Sequence, residues 1–124
     1  MDNQELEPIF DASPLIEAAV HFSREGLPLA WRCRYNDSVE EITSIAACLF
    51  SLGFESGLIP EKDNAQFSIA TSHGGMLVRA LPDNTFLLVL SARGFSLLTL
   101  EQKLDDITFN KKFLQKEAGY GEIS

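Results

Sequence analysis

Residues 38–54 read SVEEITSIAACLFSLGF, and the shape they take decides the rest of the chain. Apolar and small residues recur there at three- and four-residue steps, the spacing of a helix. Asp37 and Ser38 are each followed three residues on by a glutamate, Glu40 and Glu41, which offers a capping box in either register. Two carboxylates in the first turn also suit the positive end of the helix dipole. Gly53 or Gly57 is expected to end the helix. A helix on a monomer's surface shows one apolar stripe and one charged face, yet no charge falls between Glu41 and Glu55. Val39, Ile42, Ile45, Ala46, Leu49 and Leu52 fill one side, and Ala47, Cys48, Phe50 and Phe54 spread around the rest. Such a helix needs a second surface to cover it. In a chain of 124 residues the expected source is a partner chain.

Composition narrows the function classes. The length suits a single domain with its own core, taken as residues 1–124 with the core at about 13–116 and a frayed tail at 117–124. Ten basic against 18 acidic residues leave a net charge of −8, which argues against nucleic acid and anionic membranes, since both reward clustered cations. The longest basic run is Lys111-Lys112. No apolar stretch approaches the roughly 20 residues of a spanning helix, and the acidic start MDNQELEPIF lacks signal-peptide architecture. Cys33 and Cys48 form neither a CxxC pair nor a disulfide framework. A cytoplasmic, reduced protein is expected.

Outward from the helix, period-two patterns predict strands. Residues 15–22 (LIEAAVHF) place Ile16, Ala18, Val20 and Phe22 on one face, and SREG at 23–26 is a hairpin connection. Residues 27–34 (LPLAWRCR) alternate Leu27, Leu29, Trp31 and Cys33 against Arg32 and Arg34. Pro28 lacks a ladder donor, so this strand is expected at an edge. After a polar loop at 59–65, Phe67, Ile69 and Thr71 alternate with Ser68, Ala70 and Ser72. His73-Gly74-Gly75 reads as a turn into 76–81, and Pro82-Asp83-Asn84 as a turn into 85–91. The unbroken run Phe86–Leu90 predicts a central strand covered on both faces. A short first helix at 3–12, with Pro8 tolerable only near its start, and a last helix at about 97–116 complete the order. That last helix carries Leu97, Leu100, Leu104, Ile107, Lys111 and Leu114 at helical spacing, with Glu101, Asp105, Asp106 and Lys112 opposite. The expected class is α/β of the α+β type: a five-stranded antiparallel sheet with helices on both faces.

No residue pattern announces chemistry. The two cysteines read as small buried hydrophobes. His21, in an alternating strand, and His73, in a turn, have no nucleophile motif near them and read as structural. Gly74-Gly75 lacks the spacing of a phosphate loop. Glu40/Glu41 and Asp105/Asp106 are adjacent rather than stacked on one helix face, so capping and solvation explain them. Trp31 with Arg32 and Arg34 carries two readings: a partner surface, because Trp and Arg are enriched at interface hot spots, or a tryptophan that caps the core. No catalytic residue, cofactor site or metal site is expected.

The order of elements, with these residues in it, resembles the roadblock/dynein light-chain family across residues 15–110. The resemblance rests on Ala18-Ala19-Val20-His21-Phe22, Glu25-Gly26 and Leu29-Ala30 of the first hairpin, and on Ile45-Ala46-Ala47-Cys48-Leu49 of the helix. Gly75-Met76-Leu77-Val78, Phe86–Leu90 and Gly94-Phe95-Ser96-Leu97-Leu98 continue it, with Ser96 where family members carry glycine. It implies sheet order 2-1-5-4-3, the long helix on one face and both terminal helices on the other. It also implies a homodimer, or a heterodimer with a paralogue, joined by antiparallel long helices and edge-to-edge third strands. On that basis Ile42, Ile45, Ala46, Ala47, Leu49, Phe50, Phe67, Ser68, Ala70 and Ser72 are the expected dimer interface. The implied role is a non-enzymatic scaffold of motor or trafficking complexes, or a co-regulator of a small Ras-like GTPase. The alternative is a small-ligand sensor of profilin-like or PAS-like type, which needs a closed pocket with converging polar groups such as Thr71, His73 and Arg79.

Overall fold

The apolar run at 86–90 occupies the middle of the sheet, and the rest of the architecture is arranged about it. The computed structural model describes residues 3–34, 38–62, 64–72, 74–93, 95–96 and 98–106. Along the chain come α1 (Asn3–Phe10), β1 (Ile16–Ser23), β2 (Pro28–Cys33), α2 (Val39–Ser56), β3 (Gln66–Thr71), β4 (Gly74–Ala80) and β5 (Thr85–Ala92). A further helical segment runs through residues 98–106. The strands form one antiparallel sheet in the order β2-β1-β5-β4-β3. β5 is therefore central, and β2 and β3 are the two edges.

Side-chain alternation along β5 feeds two cores. Leu87 and Val89 join Leu77, Ala19 and Ala30 on one face, which Leu6, Ile9 and Phe10 of α1 and Leu100 and Leu104 of the last segment cover. Phe86 and Leu88 join Val20, Phe22, Val78 and Ala80 on the other, which Ala46 and Phe50 of α2 cover. Both faces are covered, which is why the strand reads as a continuous apolar run.

Several local expectations need correction. The sequence put Ile16 on the face of Ala18, Val20 and Phe22. The register of β1 on β5 slips between Ile16 and Ala18, so Ile16 turns to the α1 side while the other three stay under α2. One extra residue in a strand reverses the alternation beyond it. Pro8 sits in the second half of α1 rather than near its start. The helix is only eight residues long, and the carbonyl that loses its donor belongs to exposed Gln4. Gly74 and Gly75 open β4 instead of forming the turn. Gly74 has φ +150°, and a Cβ there would collide with the Ser91 carbonyl oxygen of the neighbouring strand.

At the head of α2, Ser38 makes no side-chain cap hydrogen bond, so the capping box expected in that register does not form. Asp37, the other candidate cap, lies outside the described residues. At its tail, Gly57 adopts φ 77° and its N–H donates to the Phe54 carbonyl, the left-handed stop that glycine supplies without steric cost. Gly53 stays inside the helix, buried against the Ile59 side chain. His73, Ile107, Lys111, Lys112, Leu114 and the tail at 117–124 fall outside the described residues.

Candidate functional site

The helix that decided the fold has one face too many. Thr43, Ala46, Phe50 and Gly53 are buried, Ala46 and Phe50 in the core against the sheet. Phe50 stacks on Phe86 at 4.6 Å between centroids and contacts Phe67 at 5.0 Å and Phe54 at 5.2 Å. Thr43 donates its hydroxyl to the Gly26 carbonyl at 2.7 Å, tying the helix to the β1–β2 turn. On the opposite side Ile45 is 60% and Leu52 62% exposed, with Cys48 exposed between them and Ser44 and Ser51 beside them. Glu41 and Glu55 bound this stripe at its ends. Solvent-facing Ile and Leu at steps of three and four, flanked by small residues, leave an apolar strip with no cover from this chain among the described residues.

β3 adds the second half of the surface. It is an edge strand, paired on one side by β4. Ser68, Ala70 and Ser72 are exposed with small side chains, and Ile69 is 42% exposed. Such an edge admits a neighbouring backbone.

The residues expected at a dimer interface thus divide. Ile45, Ser68, Ala70 and Ser72 are exposed, and Ile42, Ala47, Leu49 and Phe67 are half-buried. Ala46 and Phe50 point into the protomer's own core at 0% and 1% exposure, so they cannot meet a partner. Leu52 and Cys48, absent from that set, take their place on the outer face. Thr43 marks the face that meets the protein interior: a hydroxyl buried in an apolar helix takes an acceptor there, the Gly26 carbonyl. Cys48, expected inside, is exposed.

The Trp31, Arg32 and Arg34 set is divided between the two faces of β2. Trp31 pairs with Val20 on the α2 side and is 47% exposed. Arg32 turns to α1, bonding Glu7 at 3.1 Å and lying over the Phe10 ring at 5.6 Å. Arg34 stacks on the same ring at 4.6 Å and donates its Nε to the Ile16 carbonyl at 3.2 Å. Leu29 of the same strand is 52% exposed, and Leu27, just before the strand, is 64% exposed.

The ionisable groups serve structure. Arg79 is 3% exposed, donates from Nε and Nη2 to Gln66 Oε1, and pairs through Nη1 with Asp105 Oδ1 at 2.8 Å. It fastens the 98–106 segment to β4 and is not free to meet a ligand. His21 is 4% exposed, and its Nε2 lies 2.7 Å from the Thr85 hydroxyl. That hydroxyl donates to Asp83 Oδ1. Having one proton, it must accept from His21, which fixes a proton on Nε2. Burial pushes the Asp83 carboxyl up. The hydrogen bonds from the Thr85 hydroxyl and amide, with the nearby His21, outweigh it and hold the group below its ordinary 3.8.

Cavities are modest. One of about 210 Å³ lies between Phe54, Phe86 and Thr85, roofed by Arg24, which bonds Glu61 at 2.7 Å and Asn84 at 2.9 Å. Another of about 260 Å³ is lined by Ile69, Met76 and Leu90 beside the β3 edge. A wider concavity of about 470 Å³ opens over Glu40, Glu41, Ser44 and Ile45. Among the described residues no group of three His, Cys, Asp or Glu side chains could hold a metal ion. No described helix is long and apolar enough to cross a membrane.

No protein-family model matches the sequence, and no curated protein matches it. Solved structures do match. A Roadblock/LC7 domain from Streptomyces avermitilis superposes with a TM-score of 0.74 at 20% identity, covering 91% of this chain and 97% of its own. MglB of Myxococcus xanthus gives 0.74 at 11% identity, covering 93% and 94%. A structure described as MglB with tetrameric arrangement gives 0.72 at 12%, covering 85% and 80%. The chain has the roadblock/LC7 fold, with the sheet order that the sequence resemblance implied.

Proposed function

We propose that this protein is a non-enzymatic, self-associating scaffold of roadblock type that presents a two-fold surface to a small Ras-like GTPase or to a motor or trafficking complex. The observation that carries the reading is the exposed strip Ile45–Cys48–Leu52 on α2, which leaves a core-forming helix apolar on its far side. Two copies related by a two-fold axis would bury that strip against its twin, because an isologous contact matches a patch with itself. The β3 edges would pair beside it and fill the groove at Ile69, Met76 and Leu90. The tetrameric arrangement of an MglB of the same fold supports an associating surface.

The GTPase as partner comes from the family resemblance, together with fold neighbours that carry the MglB name. A domain without catalytic side chains acts on such a partner through contacts that differ between its nucleotide states, which shifts their populations. The sensor alternative has less support. Arg79, one of the polar groups it needs, is committed to Gln66 and Asp105.

The test is a pull-down from source cells with the intact protein as bait, repeated with GDP and with a non-hydrolysable GTP analogue. Capture of a small GTPase that depends on the nucleotide supports the reading. Capture of none under either condition rejects the GTPase partner.

A further inference from the structure

The exposed strip of α2 carries a carboxylate at each end. At about 100° per residue, Glu41, Ile45, Cys48, Leu52 and Glu55 fall within about 80° of one another around the helix. Ile45 and Leu52 are exposed, as are Cys48 and both glutamates. The buried set Thr43, Ala46, Phe50 and Gly53 lies on the opposite side.

Nothing within α2 balances these charges. Its sequence, VEEITSIAACLFSLGFES, holds no lysine or arginine. Glu41 stands in the first turn, where the helix dipole favours an anion, but Glu55 stands near the C-terminal end, where the dipole disfavours one. The cations near that end lie on another flank. Arg24 sits over the Phe54 ring at 5.6 Å and is held by Glu61 at 2.7 Å, and Lys62 lines the same cavity as that ring. Phe54 is turned toward the core, about 100° round the helix from Glu55.

Pairing of identical copies turns the two ends on each other. Cys48 is midway between the glutamates. An antiparallel contact about a two-fold axis there sets each residue opposite the one equally far on the other side. Ile45 of one copy then meets Ser51 and its neighbour Leu52 of the other, which joins the apolar middle. Glu41 of one copy meets Glu55 of the other on both sides of the axis, about 10 Å from it. Like charges set against each other across a contact suppress that pairing. A helix of the same shape with cations at these two places would keep the apolar middle, pair both carboxylates and relieve Glu55.

We infer that Glu41 and Glu55 select the partner of this strip: they weaken the pairing of identical copies and favour a chain of the same fold whose central helix carries lysine or arginine at these two places. The inference rests on association through α2, the reading proposed above. Labelled wild-type protein at trace concentration is titrated with unlabelled wild type, with a Glu41→Lys, Glu55→Lys variant and with a Glu41→Gln, Glu55→Gln variant. Each is first shown to be folded by circular dichroism, and sedimentation of the label reads the dissociation constants. At about 0.01 M salt, where the screening length is about 30 Å, the lysine variant should bind roughly tenfold tighter than wild type or better, with the glutamine variant between them. At about 1 M salt, where that length is about 3 Å, the three should converge. Equal affinity for all three at low salt, wild type bound more tightly than the lysine variant, or a ranking that high salt leaves intact overturns the inference and leaves association through α2 standing. A label that stays monomeric with every titrant overturns both.

Discussion

Replacing Phe50 by alanine separates the inner face of α2 from its outer face with one number. Phe50 is 1% exposed, stacks on Phe86, and touches Phe67 and Phe54. Removing a buried phenylalanine ring loses its transfer free energy and leaves a cavity, for about 3–5 kcal/mol in all. The lost ring contacts place this site toward the middle of that range or above. Unfolding entropy near 2.1 cal/mol/K per residue gives about 0.26 kcal/mol per kelvin for 124 residues, so about 4 kcal/mol lowers Tm by about 15 °C. The assay is thermal and urea unfolding followed by circular dichroism, at matched protein concentration because association shifts apparent stability. Ile45→Ser, on the outer face, is the control and should change the stability of the isolated protomer by less than about 0.5 kcal/mol. A Phe50→Ala loss below about 1 kcal/mol, or an equal loss in both variants, would refute the inward placement of Phe50.

Ala46→Glu buries a carboxylate at a position 0% exposed and is expected to unfold the protomer. Ile45→Glu should leave circular dichroism intact and dissociate the dimer, which light scattering reads. Gly57→Ala places a Cβ in open space but at φ 77°, so it should cost about 1 kcal/mol from backbone strain alone in urea unfolding, and Gly57→Asn less. The Asp83 carboxyl has a folded pKa below 3.8, so its contribution to stability is complete above that value and is lost as pH falls through the lower, folded one. Thr85→Val removes the hydroxyl between His21 and Asp83. It should raise the Asp83 pKa in an NMR titration and cost about 1 kcal/mol or more.

Which parts of this molecule were legible follows from how local their causes are. Phe86–Leu90 announced a central strand because coverage on both faces removes the need for polar residues. Pro28 announced an edge because it cannot donate to a ladder. The slip between Ile16 and Ala18 left no such mark: a bulge is a matter of pairing, set by β5, and nothing in LIEAAVHF distinguishes it from simple alternation. The place of Gly74 in β4 is hidden for a similar reason, since the close approach of the Ser91 carbonyl comes from another strand, β5. At the candidate site the sequence showed that α2 was apolar on too many sides. The wheel's orientation depends on the sheet, and the sequence alone does not separate Ala46 and Phe50, which face the core, from Cys48 and Leu52, which face out. Arg32 and Arg34 parted from Trp31 because α1, remote in sequence, offers Glu7 and the Phe10 ring.

The central claim is that the exposed strip of α2 is covered by a second copy of the chain. Light scattering coupled to size exclusion, at micromolar concentration, measures this as a mass. The account predicts twice 13.7 kDa for the wild-type protein and 13.7 kDa for a folded Ile45→Glu variant. A wild-type mass of 13.7 kDa, or an Ile45→Glu variant that keeps the doubled mass, would contradict it.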